Sequence, residues 1–370
     1  MNGPDLLLPA PVQAAPLPEV RNHTPHPSQY YQMMDVGDEV FHVIASRITY
    51  DLTRLDEQGA PPLAAVQAPL VEADEFYGDP TSSSCIQESD FAPYKPKCDI
   101  ILAHAVAYAP EGRAHRRWPV GIRIGDWQKM LAVTGARYVD RGLLGWKVTE
   151  PQKATQVPLR WELAYGGTSQ WPRHLKEDEE PEIFKAFEAN PLGTGWTDKA
   201  WLKKAQVADV DAPQIEVFDQ PFGTEEANAM AYPAVGVGPV GKWWTPRRQK
   251  AGTYDQAWKE SRWPRLPLDF DFGYWNAAPE DQQIEYPQGG EELVLAGLTP
   301  GQQVWRCKLP EPAIHAVLRM QIGPIVRLPM RLDTLVLDFK AGTLSCMYRI
   351  QVGAQFGARV LELRSGRAPI

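Results

Sequence analysis

A mainly β fold with a minor helical contribution (α+β) is predicted for this chain by three observations. The sequence contains 35 Pro and 29 Gly, which interrupt helices and favour short strands joined by long ordered loops. Several segments alternate apolar and polar residues with the period of two that strands require. Hydrophobic residues make up 44% of a chain of 370 residues, which is long for a single core, so we expect two sheet-based, sandwich-like parts.

The strand predictions follow the chain in order. Val40–Asp51 is rich in β-branched and aromatic residues, and residues 98–108 form a continuous apolar run typical of a strand buried on both faces. Alternation predicts a further strand at 120–124. Less regular patterns predict strands at 130–134, 143–148 and 159–163.

Near the C-terminus, residues 332–350 are predicted to form a β-hairpin. Leu335, Leu337 and Phe339 alternate with polar or smaller residues, and a second alternating run begins at 343. The Ala341-Gly342 pair supplies the turn between the two strands.

Three regions are predicted along the chain. Residues 1–29 read as a Pro-rich mobile arm, 30–290 as a β-rich domain, and 291–370 as a C-terminal β part packed on the rest. Within the central region, a helical insertion is expected at about 176–206, with short helices at 181–189 and 198–205. The Trp-rich segment 240–276 also lies in this region.

Composition argues against several classes of protein. The formal net charge of −8 disfavours a nucleic-acid partner, and no apolar run approaches the ~20 residues of a membrane helix. The N-terminus lacks the basic start of a signal peptide, so a cytoplasmic location is expected. The cysteines lack the C-x-x-C spacing of zinc sites, and either free thiols in a reducing compartment or two disulfides are compatible with their number: Cys85, Cys98, Cys307 and Cys346.

The sequence contains no motif that predicts a catalytic, metal or cofactor site. We find no phosphate-binding G-x-x-x-x-G-K-[ST] loop, no G-x-G-x-x-G after a strand, no G-x-S-x-G and no H-E-x-x-H. We therefore expect a binding protein without a cofactor, and not an enzyme.

Carboxylates near aromatic rings leave one enzymatic alternative open. Asp269 and Asp271 flank Phe270 and would share a face if this stretch were a strand. With Glu162 they could serve a carbohydrate-binding or glycoside-acting β protein, in which an acid and a nucleophile or base act together. The other interpretation is structural, with each carboxylate accepting hydrogen bonds from arginines or backbone amides.

The stretch 233–284 is the most informative part of the chain because large rings crowd there without a helical period. Trp243-Trp244 with Arg247-Arg248 could form an internal arginine–tryptophan stack that joins loops, or, with Tyr254 and Trp258, a surface that binds a partner. Both interpretations stay open on the sequence. The nine rings are Trp243, Trp244, Tyr254, Trp258, Trp263, Phe270, Phe272, Tyr274 and Trp275.

The chain resembles the bacterial domain-of-unknown-function family numbered 2169, which is found beside type VI secretion genes. The resemblance covers most of residues 40–350 and rests on seven landmarks in a fixed order. They are KPKCDIILAHAVAYAP (95–110), PLRWELAYGG (158–167), NPLGTGW (190–196), PQIEVFDQP (213–221), GPVGKWWTPRRQKAGTYDQAW (238–258), PRLPLDFDFGYWNAAPEDQ (264–282) and RLDTLVLDF (331–339).

The resemblance implies an adaptor or chaperone rather than a catalyst. Such a protein would hold a toxic effector in the cytoplasm and help to load it onto the secretion spike, built from proteins of VgrG and PAAR type. No nucleic acid, membrane, cofactor or metal is expected to take part. The carboxylates in the landmarks, Asp99, Glu162, Asp269 and Asp271, are expected to be structural.

Overall fold

The computed structural model describes residues 17–142, 145–170, 184–197 and 209–366. Strands predominate in these residues, which confirms the mainly β prediction. The strands that precede residue 170 are β1 (Glu19–Asn22), β2 (Ser28–Met34), β3 (Val40–Asp51), β4 (Glu75–Phe76), β5 (Cys85–Gln87), β6 (Cys98–Ala103), β7 (Val106–Tyr108), β8 (Arg117–Ile124), β9 (Trp127–Thr134), β10 (Tyr138–Gly142), β11 (Gly145–Val148), β12 (Gln156–Pro158), β13 (Tyr165–Gly166) and β14 (Thr168–Gln170).

The remaining strands lie beyond residue 183. They are β15 (Phe184–Ala186), β16 (Thr194–Gly195), β17 (Asp209–Asp211), β18 (Ile215–Val217), β19 (Gln283–Ile284), β20 (Glu292–Thr299), β21 (Gln302–Lys308), β22 (Ile314–Met320), β23 (Ile325–Pro329), β24 (Arg331–Asp338), β25 (Thr343–Gly353) and β26 (Ala358–Ser365). The described α-helices are short: α1 (Thr224–Ala229), α2 (Thr245–Arg248) and α3 (Gln256–Ser261). Single 3₁₀ turns lie at Pro110–Gly112, Trp161–Leu163, Phe272–Trp275, Glu280–Gln282 and Ala354–Phe356.

Three larger sheets organise the described residues. Sheet I has six strands in the order β19-β6-β24-β25-β3-β2, and sheet II has five in the order β18-β9-β8-β20-β21. Sheet III has four strands in the order β1-β26-β22-β23. The remaining pairings among the described residues form two- and three-stranded sheets.

One hydrophobic core joins the three sheets. Ile44 and Leu335 reach it from sheet I, Val120 and Leu293 from sheet II, and Leu318 from sheet III. Each of these residues exposes no more than 4% of its surface, so the apolar faces of the sheets are removed from water together. The sheets are therefore layers of one folded body.

The predicted strands are confirmed where alternation was clear. Val40–Asp51 is a strand with the predicted bounds, and the hairpin of residues 332–350 is formed by β24 and β25. Both faces of this hairpin are buried. Leu335 and Leu337 lie on the face that packs into the core, whereas Thr334 and Val336 lie on the opposite face, which other parts of the chain cover.

Two strand predictions are wrong in detail. The run 98–108 is interrupted at His104, whose φ of 56° lies in the left-handed region and ends β6 before β7 begins. The predicted strand at 159–163 is replaced by a 3₁₀ turn at Trp161–Leu163, where the amide of Leu163 donates to the carbonyl of Arg160. This turn places the Trp161 side chain in the core.

The helical insertion also differs from its prediction. Within the expected helix 181–189, Phe184–Ala186 is strand β15 and pairs with β14. The residues after it turn, with the amide of Asn190 donating to the carbonyl of Phe187. The expected helix 198–205 lies outside the described residues.

The sheets do not follow the boundaries drawn from the sequence. Glu19–Asn22, inside the predicted mobile arm, forms strand β1 and pairs in parallel with β26. Strands beyond residue 290 alternate with earlier ones: β24 and β25 lie between β6 and β3, and β20 pairs with β8. N-terminal and C-terminal strands thus share the same sheets.

The face of sheet I that points away from the core is covered by irregular chain held by buried charges. Arg349, which exposes 1% of its surface, bonds to the carboxylate of Asp333 at 2.6 Å and donates to the carbonyls of Asp90 and Ala92. Arg47 pairs with the Asp90 carboxylate at 3.0 Å. Buried backbone carbonyls need such donors because no sheet neighbour satisfies them.

Sheet III carries a buried carboxylate among cations. Glu362 exposes 1% of its surface and accepts hydrogen bonds from Arg319 at 2.6 Å and from Arg364 at 2.5 Å. These guanidinium groups hold the pKa of the Glu362 carboxyl at about 2.

Among the described residues, no helix combines the length and apolar character needed to cross a lipid bilayer.

The pKa of Glu362 predicts an acid-sensitive contribution to stability. Because the pKa of this carboxyl in the folded state lies below its ordinary value of 4.5, the stabilisation is present above that value and is lost as pH falls towards 2. We expect Glu362→Gln to lower the melting temperature at neutral pH and to flatten its decline between these two pH values. Thermal melts across this range would measure it, and parallel profiles of the two proteins would contradict it.

Candidate partner-binding site

The Trp-rich segment 240–276 has defined structure despite its loop-like composition. Pro246 lies in the first turn of α2, where its missing N–H costs little. Asp255 caps α3 by accepting the amide of Trp258 at 2.8 Å, and Asp271 caps the 3₁₀ turn at Phe272–Trp275 by accepting the amide of Gly273 at 2.7 Å.

Trp244 anchors the segment to the core. It exposes 9% of its surface, and its ring meets that of Trp161 edge to face with centroids 5.3 Å apart. The indole of Trp161 donates to the carbonyl of Gly238. A Cβ on Gly241 would lie 2.5 Å from the Trp244 indole nitrogen, so only glycine lets the chain pass this ring.

Arg247 makes the second anchor. Its guanidinium, with 3% of the residue exposed, donates to the carbonyls of Val240 and Tyr274 and to the carboxylate of Glu88 at 2.5 Å. Burial alone would lower the pKa of Arg247, but the adjacent Glu88 carboxylate more than offsets this and raises it. The arginine therefore stays charged and ties both ends of the segment to the loop between β5 and β6.

Asp99 makes the third anchor. Its carboxylate is fully buried on β6 and accepts hydrogen bonds from Asn276 at 3.0 Å and from the amides of Ala277 at 2.8 Å and Ala278 at 3.2 Å. Lys95 balances the charge at 2.8 Å. The end of the Trp-rich segment is thereby fixed against the outer face of sheet I.

The middle of the segment is tied to the turn between β2 and β3. Arg262 and Arg265 each pair with the carboxylate of Asp38 at 2.9 Å. These residues are partly exposed, so the pairs orient the chain more than they stabilise it.

Between these anchors the segment presents apolar side chains to solvent. Tyr254, Trp263 and Leu268 expose 53%, 63% and 71% of their surfaces. Trp258 is half-buried beside them: its ring lies 4.7 Å from that of Tyr254, and its indole donates to the carbonyl of Arg265. We call Tyr254, Trp258, Trp263 and Leu268 the aromatic ledge.

An apolar groove lies between the Trp-rich segment and the first hairpin. It has a volume of about 390 Å³. Phe272 lines it from the segment, Met33, Met34 and Phe41 from β2 and β3, and Arg331 adds a cation. Methionines adapt easily to the shape of what they contact.

The six residues proposed for partner binding divide into two groups. Trp244 and Arg247 are buried: the Trp244 ring meets that of Trp161, and the Arg247 guanidinium lies 5.4 Å from the centre of the Tyr274 ring. Trp243 exposes 77% of its surface, and Tyr254 and Trp258 belong to the ledge. Arg248 is exposed and pairs with Glu188 at 2.7 Å.

Three relevant residues were missed from the sequence. Trp161 lies within the landmark 158–167, but only the fold shows that it contacts Trp244. Glu88 and Leu268 carry no sequence signal, since a single carboxylate or leucine in a loop is common.

The candidate carboxylates have separate hydrogen-bond partners. The Asp269 carboxylate accepts hydrogen bonds from the amide and the hydroxyl of Thr253. The Glu162 carboxylate accepts hydrogen bonds from the amide and the hydroxyl of Ser84, at 2.8 and 2.7 Å. Asp269 and Asp271 lie in a turn and a cap rather than on a strand, so they do not share a strand face. The arrangement suits structural acceptors.

The described residues contain no group of three or more His, Cys, Asp or Glu side chains that could hold a metal ion. The cysteines are buried free thiols, and burial raises the pKa of the Cys307 thiol to about 12. Free thiols were one of the two states that the sequence allowed.

Comparison with known proteins identifies a family. Residues 37–349 match the family model DUF2169, described as an uncharacterized protein conserved in bacteria. The chain belongs to this family. The match contains the three anchors and the whole ledge, whereas β1 and β26 lie outside it. No curated protein and no solved structure matches the chain.

The neighbouring tryptophans should behave differently when truncated. Trp244→Ala removes a buried ring and is expected to lower the free energy of unfolding by ~3–5 kcal/mol. Trp243→Ala, its matched control, removes an exposed ring and should change it by no more than ~0.5 kcal/mol. Urea unfolding monitored by circular dichroism would measure both, and a Trp244→Ala protein as stable as the control would contradict the anchoring role.

The carboxylates of the sequence landmarks should also differ in their contribution to stability, according to how deeply each is buried. Asp99→Asn leaves Lys95 buried without its counter-ion, so we expect a loss of ~3–5 kcal/mol in the free energy of unfolding. Asp269→Asn, which alters an exposed carboxylate, should lower the free energy of unfolding far less. Equal losses in chemical unfolding would show that Asp99 does not hold the segment as described.

Proposed function

We propose that the chain is a non-catalytic adaptor of type VI secretion, a chaperone that binds a toxic effector in the cytoplasm and helps to load it onto a spike of VgrG and PAAR type. The observation that carries the proposal is the aromatic ledge, in which two exposed rings, a half-buried tryptophan and an exposed leucine lie on a segment that three buried anchors hold. The resemblance to a family found beside type VI secretion genes supplies the identity of the partners.

The ledge has the composition of a binding surface. Trp and Tyr are enriched among the residues that dominate protein–protein interfaces, and each ring can remove ~150–250 Å² from water. An exposed apolar patch on a folded protein usually serves binding. Because Trp244, Arg247 and Asp99 fix the segment beforehand, little ordering entropy is lost when a partner binds.

The mechanism is shielding followed by transfer. An apolar segment of the effector would lie on the ledge and be kept from water until the spike takes it up. The groove beside Phe272 can accommodate a further apolar side chain of the same segment. No covalent step is involved.

Co-purification tests this function. The chain would be produced together with the effector and spike proteins encoded beside its gene, with Tyr254→Ala and Trp263→Ala combined as the test variant. We expect the double variant to bind the effector at least about tenfold more weakly, since each ring is an anchor of the interface. Its melting temperature should stay close to that of the unaltered protein because both side chains are exposed.

Phe356→Ala is the matched control, because Phe356 exposes 60% of its surface outside the ledge. Failure of every neighbouring effector and spike protein to bind, with normal secretion after gene deletion, would reject the adaptor role. Binding to oligosaccharides on a glycan array in the absence of effector binding would instead favour the carbohydrate alternative.

A further inference from the structure

The side of sheet III that points away from the hydrophobic core carries an ordered array of side chains, in which Glu362, Val317, Val360 and His315 are buried and the arginines reach solvent. Strand register places residues that pair across strands on the same face. One row across the sheet is Arg327, Val317, Glu362 and Arg21, from β23, β22, β26 and β1. The row beside it contains Ile325, Arg319, Val360 and Glu19, and the row on the other side contains Pro329, His315 and Arg364.

Arginines dominate this array. Arg21, Arg319 and Arg364 expose 45%, 36% and 43% of their side chains, and all three lie within 3.9 Å of Glu362. Arg359 lies beside the irregularity in β26, and its charge helps to lower the pKa of Glu19 after the stronger effect of the Arg21 hydrogen bond. We call the surface formed by Arg21, Arg319, Arg327, Arg359 and Arg364 the arginine face.

The charge of this face opposes that of the rest of the molecule. Its five arginines and two glutamates, Glu19 and Glu362, give a formal net charge of +3, whereas the whole chain carries −8, so all other residues together carry −11. Arg327 and Arg359 form no ion pair with a carboxylate of the described residues. Part of the positive charge is therefore available to a partner.

Exposed apolar side chains adjoin the arginines. Ile325 exposes 52% of its surface within the array, and Ile322 exposes 95% in the turn between β22 and β23. Arginine next to exposed apolar residues is the composition of a protein interface, and guanidinium groups bind carboxylates in a bidentate geometry.

We propose that the arginine face binds an acidic segment of another protein, one in which Glu or Asp residues accompany apolar side chains. Charge complementarity selects the acidic groups, and the two isoleucines select the apolar ones. Four strands spaced by about 4.8 Å make a face wide enough for one short segment. A long polyanion such as nucleic acid fits less well, because the net charge of −11 elsewhere would repel it.

This surface is separate from the proposed effector site and does not depend on that function. Strands β1 and β26, which supply Arg21, Arg359 and Arg364, lie outside residues 37–349 that match the family. The face is thus completed by both ends of this chain.

The test compares two double variants of equal charge change. Arg327→Glu with Arg359→Glu reverses the two arginines of the face that form no described ion pair. Arg113→Glu with Lys340→Glu is the matched control, because both residues are exposed and lie outside sheet III. The probe is a short fluorescein-labelled peptide of glutamate and leucine residues, with a glutamine-for-glutamate peptide as its neutral counterpart, measured by fluorescence anisotropy.

We expect the acidic peptide to bind more tightly than the neutral one, and raised salt to weaken it. The arginine-face double variant should lose at least about tenfold in affinity while the control double variant loses much less. Equal losses in the two variants, or no preference for the acidic peptide, would overturn the proposal.

Hydrogen exchange and two further binding measurements complete the test. If the arginine-face double variant melts at a lower temperature than the unaltered protein, hydrogen exchange of the unaltered protein replaces the binding comparison. The acidic peptide should then protect residues 314–329 and 358–365 from exchange. Protection that is confined to other residues would contradict the proposal. Tighter binding of single-stranded DNA than of the acidic peptide, or self-association abolished by the double variant, would assign the face to another partner and overturn the proposal.

Discussion

Buried charges on the outer side of sheet I are the constraint on which the arrangement of this molecule depends. A sheet covered on that side by irregular chain must satisfy many backbone groups that have no strand neighbour. Arg349 and Asp99 do this with side chains that bond to the backbone of the covering loops. Arg47 and Lys95 pair with the buried carboxylates of Asp90 and Asp99. Such groups contribute less to net stability than to a single geometry, because removing charges from water is costly.

That geometry determines which parts of the Trp-rich segment face inward. Trp243 and Trp244 are adjacent in sequence, yet one is exposed and the other touches Trp161 in the core. The Trp-rich segment therefore contributes side chains both to the core and to the exposed surface. An irregular backbone can divide its side chains in this way because it is not bound to the regular alternation of a strand or the single face of a helix.

Sequence patterns predicted those parts of the fold in which local periodicity coincides with long-range pairing. Val40–Asp51 and the hairpin of β24 and β25 are such cases, since their alternation and turn chemistry act over a few residues. The parallel pairing of β24 with β6 could not be predicted, because it joins residues more than 200 positions apart and leaves no local pattern. The His104 break was equally hidden, as a left-handed histidine has no reliable sequence signal.

The site was predictable in composition but not in orientation. The density of rings in 240–276 marked the segment, and its Asp caps and Pro246 agree with the short helices that form. Which rings face solvent depends on partners such as Glu88, Trp161 and Asp99, which come from three distant stretches. Similarly, the arginine face exists only because strand register aligns residues from both ends of the chain.

The mixing of early and late strands in sheet I has a consequence for synthesis. β6 lies between β24, which begins at Arg331, and the two-residue β19, so most of its pairing is missing until the residues of β24 have been translated. Until then the apolar residues of 98–103 have neither a sheet nor a core to cover them. Non-local pairing of this kind slows folding and exposes strand edges meanwhile. A nascent chain that stalls before residue 331 would thus leave the ribosome tunnel as a client for general chaperones.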